Sequence, residues 1–215
     1  MTQSNRVAPS TRFYYGFGSV AYGIKDNGFG YFLLMYYNQV LGLPAHLASL
    51  AIFIALIFDA FSDPIVGNFS DRLHSRYGRR HPFMYAAALP VAVSFYFLWN
   101  PPDLSETQLF YYLLAIAVLV RTFITFYEVP STALAPELTG DYDERTRLAS
   151  ARHFWGWAGG IGIAVLTYGV LLVETEQYGE GQLNPEGYQS LGIVGAIVMF
   201  IAILTSALGT HRLIP

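Results

Sequence analysis

The sequence predicts an all-α integral membrane protein with six transmembrane helices, and three observations predict it. Of the 215 residues, 53% are hydrophobic and 13% charged, with a mean hydropathy of +0.38, whereas soluble domains carry roughly 25% charge. Six apolar segments each approach or exceed the ~20 residues that a spanning helix needs. The arginines gather in the loops of one side, as cations do in the cytoplasmic loops of membrane proteins.

The spans are placed at 13–41, 46–70, 83–100, 107–135, 148–174 and 189–209, within one transmembrane domain covering 1–215. The leader "MTQSNRVAPSTRF" lacks the basic start, short apolar core and cleavage site of a signal peptide, so the first span is expected to stay in the mature protein. That span carries Lys25 and Asp26, and the second carries Asp59 and Asp63. The third, "FMYAAALPVAVSFYFLWN", has no ionisable group. The fourth holds Arg121 and Glu128, and Arg152 belongs to the fifth. The sixth, "LGIVGAIVMFIAILTSALG", is again free of ionisable groups. Two sets of three spans, each closing on a purely apolar helix, point to a 3+3 internal repeat.

Nine of the twelve cations fall on one side: Arg6, Arg12, Arg72, Arg76, Arg79, Arg80, Arg145, Arg147 and Arg212. The opposite loops, 42–45, 101–106 and 175–188, contain none. Both termini are therefore expected in the cytoplasm, with the chain in the inner (plasma) membrane. A net charge of −3 gives no footing for nucleic acid. The absence of cysteine excludes disulfides and thiolate metal sites. No HExxH or GxSxG motif occurs, and the five histidines, His46, His74, His81, His153 and His211, are scattered. No enzymatic activity and no cofactor are therefore expected.

The stretch "ALIFDAFSDPIVG" sharpens that reading. An ionised carboxylate at the bilayer centre costs at least about 2.5–3.5 kcal/mol, and Asp59 and Asp63 sit four residues apart on one helical face. Asp59, Asp63, Gly67 and Asp71 form one stripe, and Arg121, Thr125, Glu128 and Thr132 form another. Such groups either pair between helices or line a wet cavity. Two adjacent carboxylates oppose assembly unless a bound Na⁺ or a proton neutralises them. The seven intramembrane groups sum to −1 when all are ionised, which one monovalent cation balances. Oxygen ligands suit a hard ion, and Ser62 and Thr125 could add hydroxyls. Pro64 cannot donate to the preceding turn, so a freed carbonyl beside Asp63 is a further candidate ligand.

Several segments together resemble one family: "YGFG" at 15–18, "LLMYYNQVLGL" at 33–43, "FDAFSDPIVG" at 58–67, "SRYGRRHPF" at 75–83, "EVPSTALAPELT" at 128–139 and "DERTRLASAR" at 143–152. They are similar to the glycoside–pentoside–hexuronide:cation symporters of the major facilitator superfamily. The resemblance implies one six-helix half of that fold, a 3+3 inverted repeat, working as a Na⁺- or H⁺-coupled transporter of a sugar- or glycoside-like solute. It implies that Asp59, Asp63 and Thr125 are cation ligands, with Asp59 and Asp63 holding Na⁺ if sodium is the coupling ion. Ser62 stands where sodium-coupled relatives often have Asn. The resemblance also implies a solute role for Glu128 and for Arg152 nearby on helix 5; Asp26 and Arg121 are added here as candidate solute-binding residues. The family's helix-1 sugar carboxylate falls on Gly23, with Asp26 almost one turn later, and Arg121 lies outside the sugar pattern. Related lysolipid symporters share the Asp pair and give an alternative solute class. "GNFSDRLHSRYGRR" resembles the superfamily's cytoplasmic loop signature, in which Asp71, Arg72, Arg79 and Arg80 would latch the halves.

Family members have twelve spans, so the chain is expected to be a fragment or a half-transporter that pairs with a second copy or a second six-helix half. A non-transporting half that assembles with a longer partner is the competing reading. Spans 1, 2, 4 and 5 are expected to line the cavity, leaving spans 3 and 6 to lipid. Gly156 and Gly160 in "GWAGG" have the spacing that lets helices approach closely, either between chains or inside one bundle.

Overall fold

A long helical rod comes first in a computed structural model that describes residues 6–73 and 75–211. Helix α1 (Pro9–Phe17) passes through Gly18 into α2 (Ser19–Asn27), and the path continues through π-helical turns at Gly28–Leu33 and Tyr36–Val40. Among the described residues, five further helices are long and apolar enough to cross a membrane. They are α3 (Ala45–Arg72), α4 (His81–Trp99), α5 (Glu106–Ala133, followed by the short α6, Ala135–Leu138), α7 (Tyr142–Leu166, extended by a π turn to Leu171) and α8 (Pro185–His211). His74 and Arg212 lie outside the described residues.

Local chemistry sets the ends. α5 starts on a capping box in which Gln108 reaches back to the Ser105 backbone N–H at 3.1 Å. α7 starts six residues earlier than hydropathy indicates, because Asp141 caps the Glu144 N–H at 3.0 Å. The charged stretch "YDERTR" reads as a loop, yet its Glu144 accepts from Arg12 at 2.9 Å and from the Val7 N–H at 3.1 Å. α3 runs through Pro64 as one continuous helix, so the expected break beside Asp63 does not interrupt it.

The main packing contacts run in an open series: α3 on α5, α5 on α4, α4 on α8, α8 on α1 and α2, and these on α7. Spans 3 and 6, expected to be left to lipid, also pack into the six-helix unit along one face. α4 and α8 have 44% and 50% of their spanning residues buried, against 17% for α3 and for α7. Small residues explain it: a side chain at Gly192 would come within 2.6 Å of Trp99, and one at Gly195 would overlap Phe95. Their inner faces form the core, while Leu89, Val93, Ile193 and Ile197 keep an outer apolar face exposed. α3 instead leaves Phe53, Phe58, Phe61, Ile65 and Phe69 exposed.

Candidate solute and cation sites

Two ionic clusters stand on α5, at the seam with α3 and at the cavity facing α2 and α7. At the seam, Arg121 Nη1 donates to Asp59 Oδ2 at 2.5 Å. Thr125 Oγ1 lies 3.2 Å from Asp59 Oδ1 and 3.0 Å from Asp63 Oδ1, so both carboxylates converge on one hydroxyl. A hydroxyl carries one proton and satisfies one of them at a time. Ser62 turns its hydroxyl back to the Asp59 carbonyl at 3.1 Å. The Arg121 guanidinium also covers the Phe29 ring, 4.9 Å from its centroid. Phe29 belongs to the π-helical turn of the first span, a feature frequent at functional positions.

The sequence groups Arg121 with the solute residues, and the structure bonds it to Asp59 instead. The stripe through 121, 125 and 128 is real, but the facing helix changes along it. Asp59 of α3 meets its upper part, and Arg152 of α7 meets its lower part.

The cavity has a volume of about 600 Å³ and opens between the first span, α5 and α7. Arg152 is buried in its wall; it donates to Glu128 Oε1 at 2.5 Å and to Ser131 Oγ at 2.9 Å, and lies over Tyr15. Glu128 Oε2 and Ser19 Oγ are buried without a hydrogen-bond partner among the described residues, and both residues line the cavity. An unmet buried polar group costs about 1–3 kcal/mol, so both atoms favour water or a hydroxyl-bearing solute at that place. Asp26 also lines the cavity; its carboxylate is mostly exposed, 3.8 Å from the buried Lys25. Lys25 lies over the Tyr22 ring at 4.4 Å.

Ser19, Asn27, His153 and Trp157 line this cavity and escaped the sequence reading, because none belongs to a charged stripe. The pairing of two small-residue runs could have found the contact that shapes it. A Cβ at Gly23 would overlap the Gly156 carbonyl, and one at Gly160 would overlap Asn27. Gly156 and Gly160 therefore pack α7 on α2 within this chain. The space a side chain at position 23 would need is thus filled by a backbone contact.

At the arginine-rich end, Arg80 is the hub. It pairs with Asp71 at 2.5 Å, Glu137 at 3.3 Å and Ser70 Oγ at 2.8 Å, and Arg79 reaches Glu137 at 3.2 Å. These bonds join α3, α4 and α6 within the chain; Glu137 was not singled out from sequence. Arg72 lies on the last turn of α3 next to Asp71.

A family model described as MFS/sugar transport protein matches residues 14–214. An uncharacterized symporter of Synechocystis sp. is 35% identical over 93% of this chain and 37% of its own length. The isoprimeverose transporter of Lactiplantibacillus pentosus is 25% identical over 92% of this chain and 40% of its own. The sodium-dependent lysophosphatidylcholine symporter 1 of Gallus gallus is 28% identical over 68% of this chain and 28% of its own. The chain spans well under half the length of these relatives.

Proposed function

Because the chain belongs to the MFS/sugar transport protein family of membrane transporters, we propose that it forms a six-span half of a cation-coupled symporter. One observation carries this reading: Thr125 and Glu128, three residues apart on α5, belong to two different ionic clusters. Asp59, Asp63 and Thr125 take the coupling cation, Na⁺ or H⁺, with Ser62 beside them. Glu128 and Arg152 bind the solute, with Asp26 on the same wall. A shared helix lets occupancy of one site bias the other. Rocking of one six-helix unit against another then exposes the cavity to each side in turn.

The packing pattern supports a 3+3 inverted repeat. The strong pairings are span 1 with 5, span 2 with 4, span 3 with 6, span 3 with 4 and span 1 with 6. Exchanging spans 1–3 with 4–6 maps this set onto itself. Superfamily halves are related by an axis along the membrane normal, so a parallel homodimer, or a second six-helix half, would cover the exposed faces of α3 and α7. This arrangement keeps the arginine-rich ends together in the cytoplasm, in an inner (plasma) membrane protein. Cysteine crosslinking in membranes tests it, since the chain has no native cysteine. Crosslinks between equivalent positions at Phe61 or Trp157 support the dimer, and crosslinks confined to Val93 and Ile197 reject it.

A sugar- or glycoside-like solute is the first reading for the cavity, given the orphan Glu128 and Ser19 oxygens. A lysolipid or other amphiphile is the second, favoured by the filled Gly23 position and the broad apolar face of α3. Titration calorimetry in nanodiscs with Na⁺, Li⁺, a panel of glycosides and lysophosphatidylcholine tests both. Cation-enhanced binding of one solute class is the expected result; solute binding indifferent to Na⁺, Li⁺ and pH would sink the symporter reading.

A further inference from the structure

Building on the cation site proposed above, we infer that Arg121 is a tethered cation that competes with the coupling ion for Asp59. The seam between α3 and α5 holds two carboxylates and one guanidinium, hence a net charge of −1 with all three ionised. The guanidinium already takes Asp59 Oδ2 at 2.5 Å. The Thr125 proton is shared between Asp59 Oδ1 and Asp63 Oδ1, at 3.2 and 3.0 Å. Ser62 spends its own proton on a backbone carbonyl of its helix. An ion entering between the carboxylates therefore meets a ligand set partly in use and a like charge bonded to one ligand. Tight binding requires Arg121 to leave Asp59.

The structure offers the guanidinium a place to go. Arg121 is 8% exposed, its Nε has no partner among the described residues, and its charged plane already covers Phe29 at 4.9 Å. An aromatic face holds a desolvated cation well. Phe29 follows Asp26 and Asn27 of the cavity wall by three and two residues. A solute that shifts the first span thus shifts the ring under Arg121, and the two sites are coupled through that contact. Arg121 is then an affinity-setting residue for the cation and has no direct part in holding the solute.

The test is calorimetric titration of the purified chain in nanodiscs with NaCl and LiCl. Arg121→Gln and Arg121→Met both remove the charge, and the second keeps the aliphatic stem beside Phe29; a folded sample of either suffices. The expected result is Na⁺ or Li⁺ affinity at least about tenfold tighter than in the unmodified chain, with Arg121→Lys within threefold of it. Measurable but unchanged or weaker affinity in the neutral variants overturns the competitor role and leaves the cation site standing. Silence toward both ions in every form, the neutral variants included, overturns this inference for Na⁺ and Li⁺ and restricts the proposed cation site to H⁺.

Discussion

The cavity cluster and the seam cluster are each built on an arginine bonded to a carboxylate at 2.5 Å, and they differ in what remains after that bond. In the cavity, one Glu128 oxygen has no partner among the described residues, Arg152 is further held by Ser131, and the charges of Arg152 and Glu128 sum to zero. At the seam, a second carboxylate shares the space, and one negative charge is left over. A neutral cluster with open acceptors suits a hydroxyl-bearing solute, and an anionic cluster suits a small cation. The same pair of residue types therefore supports two chemistries, decided by its third member.

The largest expected effect comes from closing the cavity while sparing the seam. Gly23→Val drives a side chain into the Gly156 carbonyl, where overpacking costs typically 1–3 kcal/mol. Solute binding should vanish and the thermal midpoint in detergent should fall, as read by titration and differential scanning fluorimetry. Gly23→Asp, which places a carboxylate at the same contact, should fail in the same way. Solute binding preserved in either variant would show that the α2–α7 contact does not shape the cavity.

Glu128→Gln probes the comparison with less disruption. It removes the charge from the acceptor and keeps its shape, so solute affinity should drop about 10- to 100-fold. Cation affinity should stay within threefold. Equal losses of both would merge the two clusters into one site.

The reciprocal change is Asp63→Asn. Cation affinity should fall about tenfold or more, with solute affinity in the absence of cation nearly unchanged. Asp59→Asn should lose the cation as well and also lower the thermal midpoint, because it strands a buried guanidinium. A midpoint unaltered in Asp59→Asn would mean that Arg121 finds another partner. The smallest effect is expected from Ser19→Ala, which removes one hydroxyl from the cavity wall. One neutral hydrogen bond is worth about 0.5–1.5 kcal/mol, so solute affinity should weaken roughly 2- to 12-fold. An unchanged affinity would assign the Ser19 hydroxyl to water.

The helices and their charges were legible from sequence because both signals are local. The apolar runs placed α3, α4, α5 and α8 close to where they lie, and the four-residue spacing placed Asp59 and Asp63 on one face. α7 was cut short because hydropathy does not register an Asp141 cap or the pull of Arg12 on Glu144. The first span gave no sign of its π turns, since their extra residue per turn leaves no mark in an apolar run that also lines a site.

What the sequence determined by itself, then, is the membrane class, the helical segments and which side chains share a face, all set by period and hydropathy along one chain. The tertiary structure decided what stands opposite each face. It set Arg121 against Asp59, turned Gly156 and Gly160 toward α2, and buried the inner sides of α4 and α8. The reason is that helical period specifies a direction relative to one axis, whereas a partner depends on where a second axis crosses the first. That crossing is set by small residues such as Gly23, Gly192 and Gly195, whose missing side chains are visible in a sequence but whose neighbours are not.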